Sequence, residues 1–282
     1  CPSGHRVEID SLEHGLFTYQ LLKAIEGQAA AMQTEDALVS VREIESFLNK
    51  TYDNEDDFMS HISYHKGRDF YLVASSDSVK FNLGEDAQII ASRGAGLAGA
   101  AMINDNNKEG EGKDYALLFA TDNYNEWKDL VNPIHDASTI AKTLEDQYGF
   151  EVELVTNATR REVMSKIRQY QMKAYGENDQ LFVFFAGHGS FDEVSGEGYL
   201  VCKDSKRNDE IMETYLPYSY LREHVNNIRS CNHILIALDV CFGGTFDKRV
   251  SSSDRGESVY ENVNKNELIK RAKLYKSRLF LT

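Results

Sequence analysis

The sequence predicts an α/β protein in three layers, with a mostly parallel central sheet of about six strands flanked by helices. Three observations carry that prediction. The runs LFVFFAG at 181–187 and ILIAL at 234–238 are apolar at successive positions, the pattern of strands buried on both faces. Segments of helical periodicity separate such runs, as crossovers between parallel strands require. Proline and glycine fall at the boundaries, Pro133 and Gly149 among them.

Taken in order, residues 1–76 differ in texture from the rest, with helices expected at 14–25 and 40–48 and one strand at 69–73. They hold too little apolar surface to fold alone. Residues 77–114, through SRGAGLAGAAM and NDNNKEGEGKD, read as a linker or flexible edge. Asp105 begins a stretch like a calcium loop, but its twelfth position falls on Ala116 where a Glu is needed. From 115 to 282 the alternation is regular. A buried strand at 115–121 leads to a helix at 133–148, opened by Pro133 in its first turn and ended by Gly149. A strand at 151–155 follows, then a helix capped by Thr159 whose inner face is Val163, Ile167 and Tyr170. After the strand at 181–187 come a short strand at 198–202, a helix at 218–228, a strand at 233–238, a helix at 264–275 and a strand at 278–281. No repeat of fixed period is present.

Composition narrows the function. The 282 residues are 41% hydrophobic and 27% charged, which excludes a disordered chain and allows one large domain or two small ones. Thirty-one Lys and Arg against 45 Asp and Glu give a net charge of −14, a surface that repels phosphate backbones and anionic lipid. Nucleic acid and membrane are therefore not expected as partners, and a basic peptide is. The four cysteines, Cys1, Cys202, Cys231 and Cys241, form no CxxC pair and no metal-ligand spacing, so no metal site is expected and reduced thiols in the cytoplasm fit best. Apolar runs fall far short of the ~20 residues that span a bilayer.

Two strand ends carry the chemistry. One reads Phe184-Phe185-Ala186-Gly187-His188-Gly189, with a His between glycines just past a buried strand; the other reads Leu238-Asp239-Val240-Cys241-Phe242-Gly243-Gly244, with a Cys in the same place. In a parallel sheet the carboxyl ends of neighbouring strands share one rim, where open α/β sheets place their sites. A thiol and an imidazole can meet there, and the glycines let backbone amides approach a developing oxyanion.

With the His about 50 residues ahead of the Cys, these motifs resemble those of the caspase-like cysteine peptidases, the clan of caspases, metacaspases and their bacterial relatives. The resemblance covers residues 115–282 and implies a caspase-like three-layer fold. It implies that His188 is the general base, Cys241 the nucleophile, and the backbone amides of Gly189 and Cys241 the oxyanion hole. The function implied is a cysteine endopeptidase acting through a Cys-His dyad and an acyl-enzyme, with a protein or peptide substrate and no cofactor; calcium dependence, found in some metacaspases, stays open, as does a regulatory protein partner. Caspases proper carry Gln two residues before the nucleophile and cut after Asp. This chain has Asp239 there, as the Arg/Lys-specific metacaspases do, so cleavage after a basic residue is expected. Asp204, with Asp192 and Glu193, stands on loops within reach of the same first pocket (S1), the alternative being solvated charge.

One departure concerns order. Residues 14–22 (HGLFTYQLL) and the strand at 69–73 look like the family's small-subunit part, including its last strand at the sheet edge, placed ahead of the large-subunit part. Three readings stay open: a circularly permuted or re-ordered chain in which residues 1–76 complete the same domain, the tail of a preceding unit in a tandem protein, and an unrelated N-terminal region. The polar stretch after the nucleophile contains Lys248, Arg249 and Arg255, candidate self-cleavage points for an enzyme of basic specificity. Two other classes compete with the peptidase: a catalytically silent caspase-like scaffold, and an α/β binding protein of flavodoxin type, which would want a phosphate loop this sequence lacks.

Overall fold

A computed structural model describes residues 16–28, 38–51, 62–64, 71–73, 112–240 and 277–281. In the N-terminal part, helix α1 (Leu16–Lys23) runs on into a π-helical turn (Ala24–Gln28). Strand β1 (Leu38–Ser40), helix α2 (Val41–Thr51), β2 (Ile62–Tyr64) and β3 (Tyr71–Val73) follow. The regular part holds β4 (Asp114–Ala120), α3 (Pro133–Tyr148), β5 (Glu151–Thr156), α4 (Arg160–Met172) and β6 (Gln180–Gly187). Then come three short strands, β7 (Gly189–Asp192), β8 (Glu197–Leu200) and β9 (Leu216–Pro217), helix α5 (Tyr218–Asn226), β10 (His233–Val240) and β11 (Ser277–Leu281).

Six strands form the main sheet in the order β2-β11-β10-β6-β4-β5. All neighbours are parallel except β2, which runs antiparallel to β11. Every residue of β6 and β10 is buried, which is why these two strands read as continuous apolar runs. Alternate residues serve two cores. Leu118, Phe182, Phe184, Leu235 and Ala237 face α3 together with α1 and α2, through Ile140 and Leu144 on one side and Phe17, Leu21, Ile25, Ile44 and Leu48 on the other. Leu117, Val183, Phe185, Ile234 and Ile236 face α4 and α5, through Val163, Ile167, Leu221 and Val225. At about 1.5–3 kcal/mol for each large apolar side chain buried, the residues of α1 and α2 contribute to the same core as α3 and the sheet.

Local signals act where the sequence places them. Pro133 stands at the start of α3, and Gly149 ends it in the left-handed conformation at φ 70°, returning its amide to Glu145. Thr159 and Glu162 form a reciprocal capping box on α4, and the hydrogen bonds from Thr159 hold the Glu162 carboxyl below its ordinary pKa.

Two expectations are corrected. The segment expected at the sheet edge, 69–73, supplies Tyr71–Val73 to a separate two-stranded pair with Leu38–Ser40, and Ile62–Tyr64 takes the edge beside β11. Three residues between polar neighbours are too short to show a period, and only the distant pairing to Leu279, Phe280 and Leu281 makes them a strand. Strands β7 and β9 were not expected either; they pair with β8 in a second sheet, although Gly, Asp and Pro are poor strand formers. The helix expected at 264–275, the stretch at 77–111 and the calcium-loop-like segment at Asp105 lie outside the described residues. No helix among the described residues is long and apolar enough to cross a membrane.

Candidate active site

Strands β6 and β10 are neighbours, and the last pair of their ladder is Gly187 with Val240. Parallel neighbours stand about 4.8 Å apart, so the two strand ends that carry the two motifs lie side by side. His188 is the next residue after one. Cys241 is the next residue in the chain after the other, but it lies outside the described residues, as do Gly243, Gly244, Lys248, Arg249 and Arg255.

His188 is held from three directions. Its ring Nε2 lies 2.8 Å from the backbone carbonyl of Lys128. A carbonyl only accepts, so Nε2 carries the hydrogen and the neutral ring has its lone pair on Nδ1. The His188 amide donates to the Tyr124 hydroxyl at 2.9 Å, which in turn donates to the Thr121 carbonyl at 3.0 Å. The rings of Tyr124 and Trp127 lie 4.9 and 5.5 Å from the imidazole. All these partners come from the loop after β4, which is itself pinned: Asp129 accepts from the Tyr124 amide, Asp122 from the Ile134 amide, and Asn157 from the amides of Asp122 and Asn123. The aromatic pair in NYNEW just after a buried strand was a signal available in the sequence. The Lys128 carbonyl had none, because any residue supplies one.

Gly187 is required by this arrangement. Its φ is 153°, and a Cβ there would stand 2.6 Å from the Tyr124 hydroxyl oxygen. Gly187→Ala is therefore expected to cost about 1–3 kcal/mol in backbone strain and to displace the hydroxyl that holds His188. Urea unfolding reads the first effect, and peptide hydrolysis reads the second.

Gly189 is buried and opens β7, opposite Leu200. Asp239 is only 5% exposed; it lies on β10, and its Oδ2 accepts a hydrogen bond from the Thr18 hydroxyl of α1 at 2.6 Å. The other candidate carboxylates are engaged elsewhere. Asp204 Oδ1 accepts from the Arg160 amide at 2.8 Å, at the start of α4 beside β5. In the sheet order that edge is three strands from β10, so Asp204 and Asp239 are not brought together. Asp192 closes its own hairpin by accepting from the Ser195 hydroxyl and the amides of Val194 and Ser195, and the hydroxyl first, then the Val194 amide, hold its carboxyl below the ordinary range. Glu193 is exposed. Among the described residues no three His, Cys, Asp or Glu side chains stand close enough to hold a metal ion.

The remaining described thiols are poor nucleophiles. Burial, with the Asp204 carboxylate adding to it, pushes Cys202 up to about 12. Cys231 is buried, with its Sγ 3.2 Å from the His233 carbonyl. Since only the thiolate reacts, iodoacetamide at pH 8 should leave Cys202 unmodified in native protein and label it after denaturation, as peptide mass mapping would read.

The caspase domain model matches residues 113–275. The chain belongs to the caspase family. That span contains both motif-bearing strand ends, and α1 to β3 precede it. Among solved structures, caspase-1 from Spodoptera frugiperda is similar at 18% identity and a TM-score of 0.33, over 45% of this chain and 47% of that one, so less than half of that caspase is spanned. A search of curated proteins finds no match. Caspase-family domains are those of cysteine peptidases, and His188 follows one of the two adjacent strand ends within the matched span.

Proposed function

We propose that this caspase-family chain is a cysteine endopeptidase that cuts protein substrates after Arg or Lys. The observation that carries the reading is the ladder end Gly187–Val240 with the imidazole beside it fixed through Nε2. In this mechanism Nδ1 of His188 takes the proton of the Cys241 thiol, and the imidazolium is stabilised by its Nε2–H bond to the Lys128 carbonyl and by the two aromatic rings. The thiolate attacks the scissile carbonyl, and the amides of Gly189 and Cys241 receive the oxyanion. His188 returns the proton to the leaving amine, and water then hydrolyses the acyl-enzyme.

Asp239 supplies the charge that selects the substrate. A buried carboxylate attracts a guanidinium or ammonium and repels an Asp side chain. Asp204, whose Oδ1 accepts from the Arg160 amide at the start of α4, is left out of this pocket in the reading. Residues 1–76 belong to the same domain as its small-subunit-like part, a reading supported by the core shared between α1, α2 and the sheet. Self-cleavage after Lys248, Arg249 or Arg255, a cytoplasmic location and action without a bound cofactor complete the proposal.

Matched fluorogenic peptides ending in Arg, Lys or Asp test it. Hydrolysis of the Arg and Lys peptides alone is the expected result. Hydrolysis of the Asp peptide would keep the dyad and overturn the pocket assignment, and silence on all three would favour the scaffold.

A further inference from the structure

The bond between Thr18 and Asp239 links positions 221 residues apart and has no role in the reaction as written above. We infer that Thr18 is a positioning residue for the Asp239 carboxylate and turns the first pocket toward Arg over Lys, an inference that rests on the assignment of Asp239 to that pocket.

Geometry and burial carry it. At 2.6 Å the contact lies in the range of a hydroxyl donating to an ionised carboxylate. Thr18 is 0% exposed and Asp239 5%, so water does not compete for either group. Thr18 cannot drift, because Phe17, Leu21 and Leu22 beside it on α1 are part of the core that also holds Phe184 and Ala237. A helical Thr commonly returns its hydroxyl proton to its own backbone. This one gives it to a strand end on the far part of the chain.

The chemical consequence is directional. A carboxylate fastened at one oxygen can no longer rotate freely about its last torsion, so its plane is set before substrate arrives. A guanidinium is a planar fork and gains from a fixed acceptor plane. An ammonium is a point charge with rotatable donors and gains little. Removing the hydroxyl should therefore harm an Arg substrate more than a Lys substrate.

The test compares wild type, Thr18→Val and Thr18→Ser on matched Arg and Lys peptides. For Thr18→Val we expect KM for the Arg peptide to rise about tenfold and KM for the Lys peptide by no more than about threefold, with kcat within about twofold on both. Thr18→Ser, which keeps the hydroxyl, should restore the Arg preference. A helix merely loosened by substitution would affect both peptides alike, so equal losses, or no loss, would overturn the inference. If wild type cuts the Arg peptide and Thr18→Val matches it, only the role of Thr18 has failed; if wild type cuts after Asp instead, the pocket assignment has failed and the inference with it. Binding gives a readout without turnover: butylguanidine and pentylamine are titrated calorimetrically into Cys241→Ala with and without Thr18→Val. The added substitution should weaken butylguanidine about tenfold and pentylamine far less, and equal losses for the two, or no loss, would overturn the inference.

Discussion

His188→Ala and Cys241→Ala should each lower kcat/KM on an Arg-ended peptide by about 10³-fold or more, and the double variant should be little worse than either single one. The reason is that in the proposed mechanism the two side chains act as one unit. Without the imidazole the thiol keeps its proton and the leaving amine receives none; without sulfur the imidazole has nothing to activate. What survives is whatever the substrate groove and the oxyanion amides achieve alone. The fold should tolerate the His188 change, because the backbone at this position is held independently, through its amide on the Tyr124 hydroxyl and its carbonyl on the Val201 amide. Thermal unfolding measured beside the kinetics separates lost chemistry from lost structure. Activity within about tenfold of wild type in either variant would sink the dyad.

Asp239→Asn is the second large effect. Asparagine keeps the shape and can still accept from Thr18 through its amide oxygen, so the packing at the end of β10 survives. The charge does not. A basic side chain would then enter a buried pocket without its counter-ion, a loss that commonly costs about 2–5 kcal/mol. That corresponds to a fall in kcat/KM on the Arg peptide of about 30- to 4,000-fold, carried mainly by KM. A matched peptide ending in norleucine, which never used the charge, should change little. An unchanged Arg-to-norleucine ratio would show that Asp239 selects nothing.

The parts of this fold that were legible in the sequence are those whose cause is local. β6 and β10 announce themselves by apolar runs because they are buried on both faces. The ends of α3 and the start of α4 follow from Pro133, Gly149 and Thr159, each acting within a turn of its own position. What was not legible depends on partners far away in the chain. Ile62–Tyr64 is a strand only because β11 lies beside it, whereas 69–73 has the better strand composition and is not at the edge. In the site, the two motifs pointed to neighbouring strand ends, and the register places those ends together. The Lys128 carbonyl carries no side-chain signature. The bond from the Arg160 amide to Asp204 was equally hidden, because a carboxylate on a loop looks the same in sequence whether or not it accepts from a helix amide.

The cover that α1 and α2 give to the sheet bears on how the protein can be handled. A fragment cut at the limits of the caspase match, 113–275, would keep both motifs and lose the helices that lie over Phe184 and Leu235. Among the described helices of that fragment only α3 would then shield that face, and the apolar side chains that α1 and α2 cover would form a patch of the kind that drives self-association. Such a fragment should form inclusion bodies or, once refolded, scatter light at concentrations where the whole chain stays clear. Expression trials that trim to the span of the family match would discard the cover that α1 and α2 give to that face.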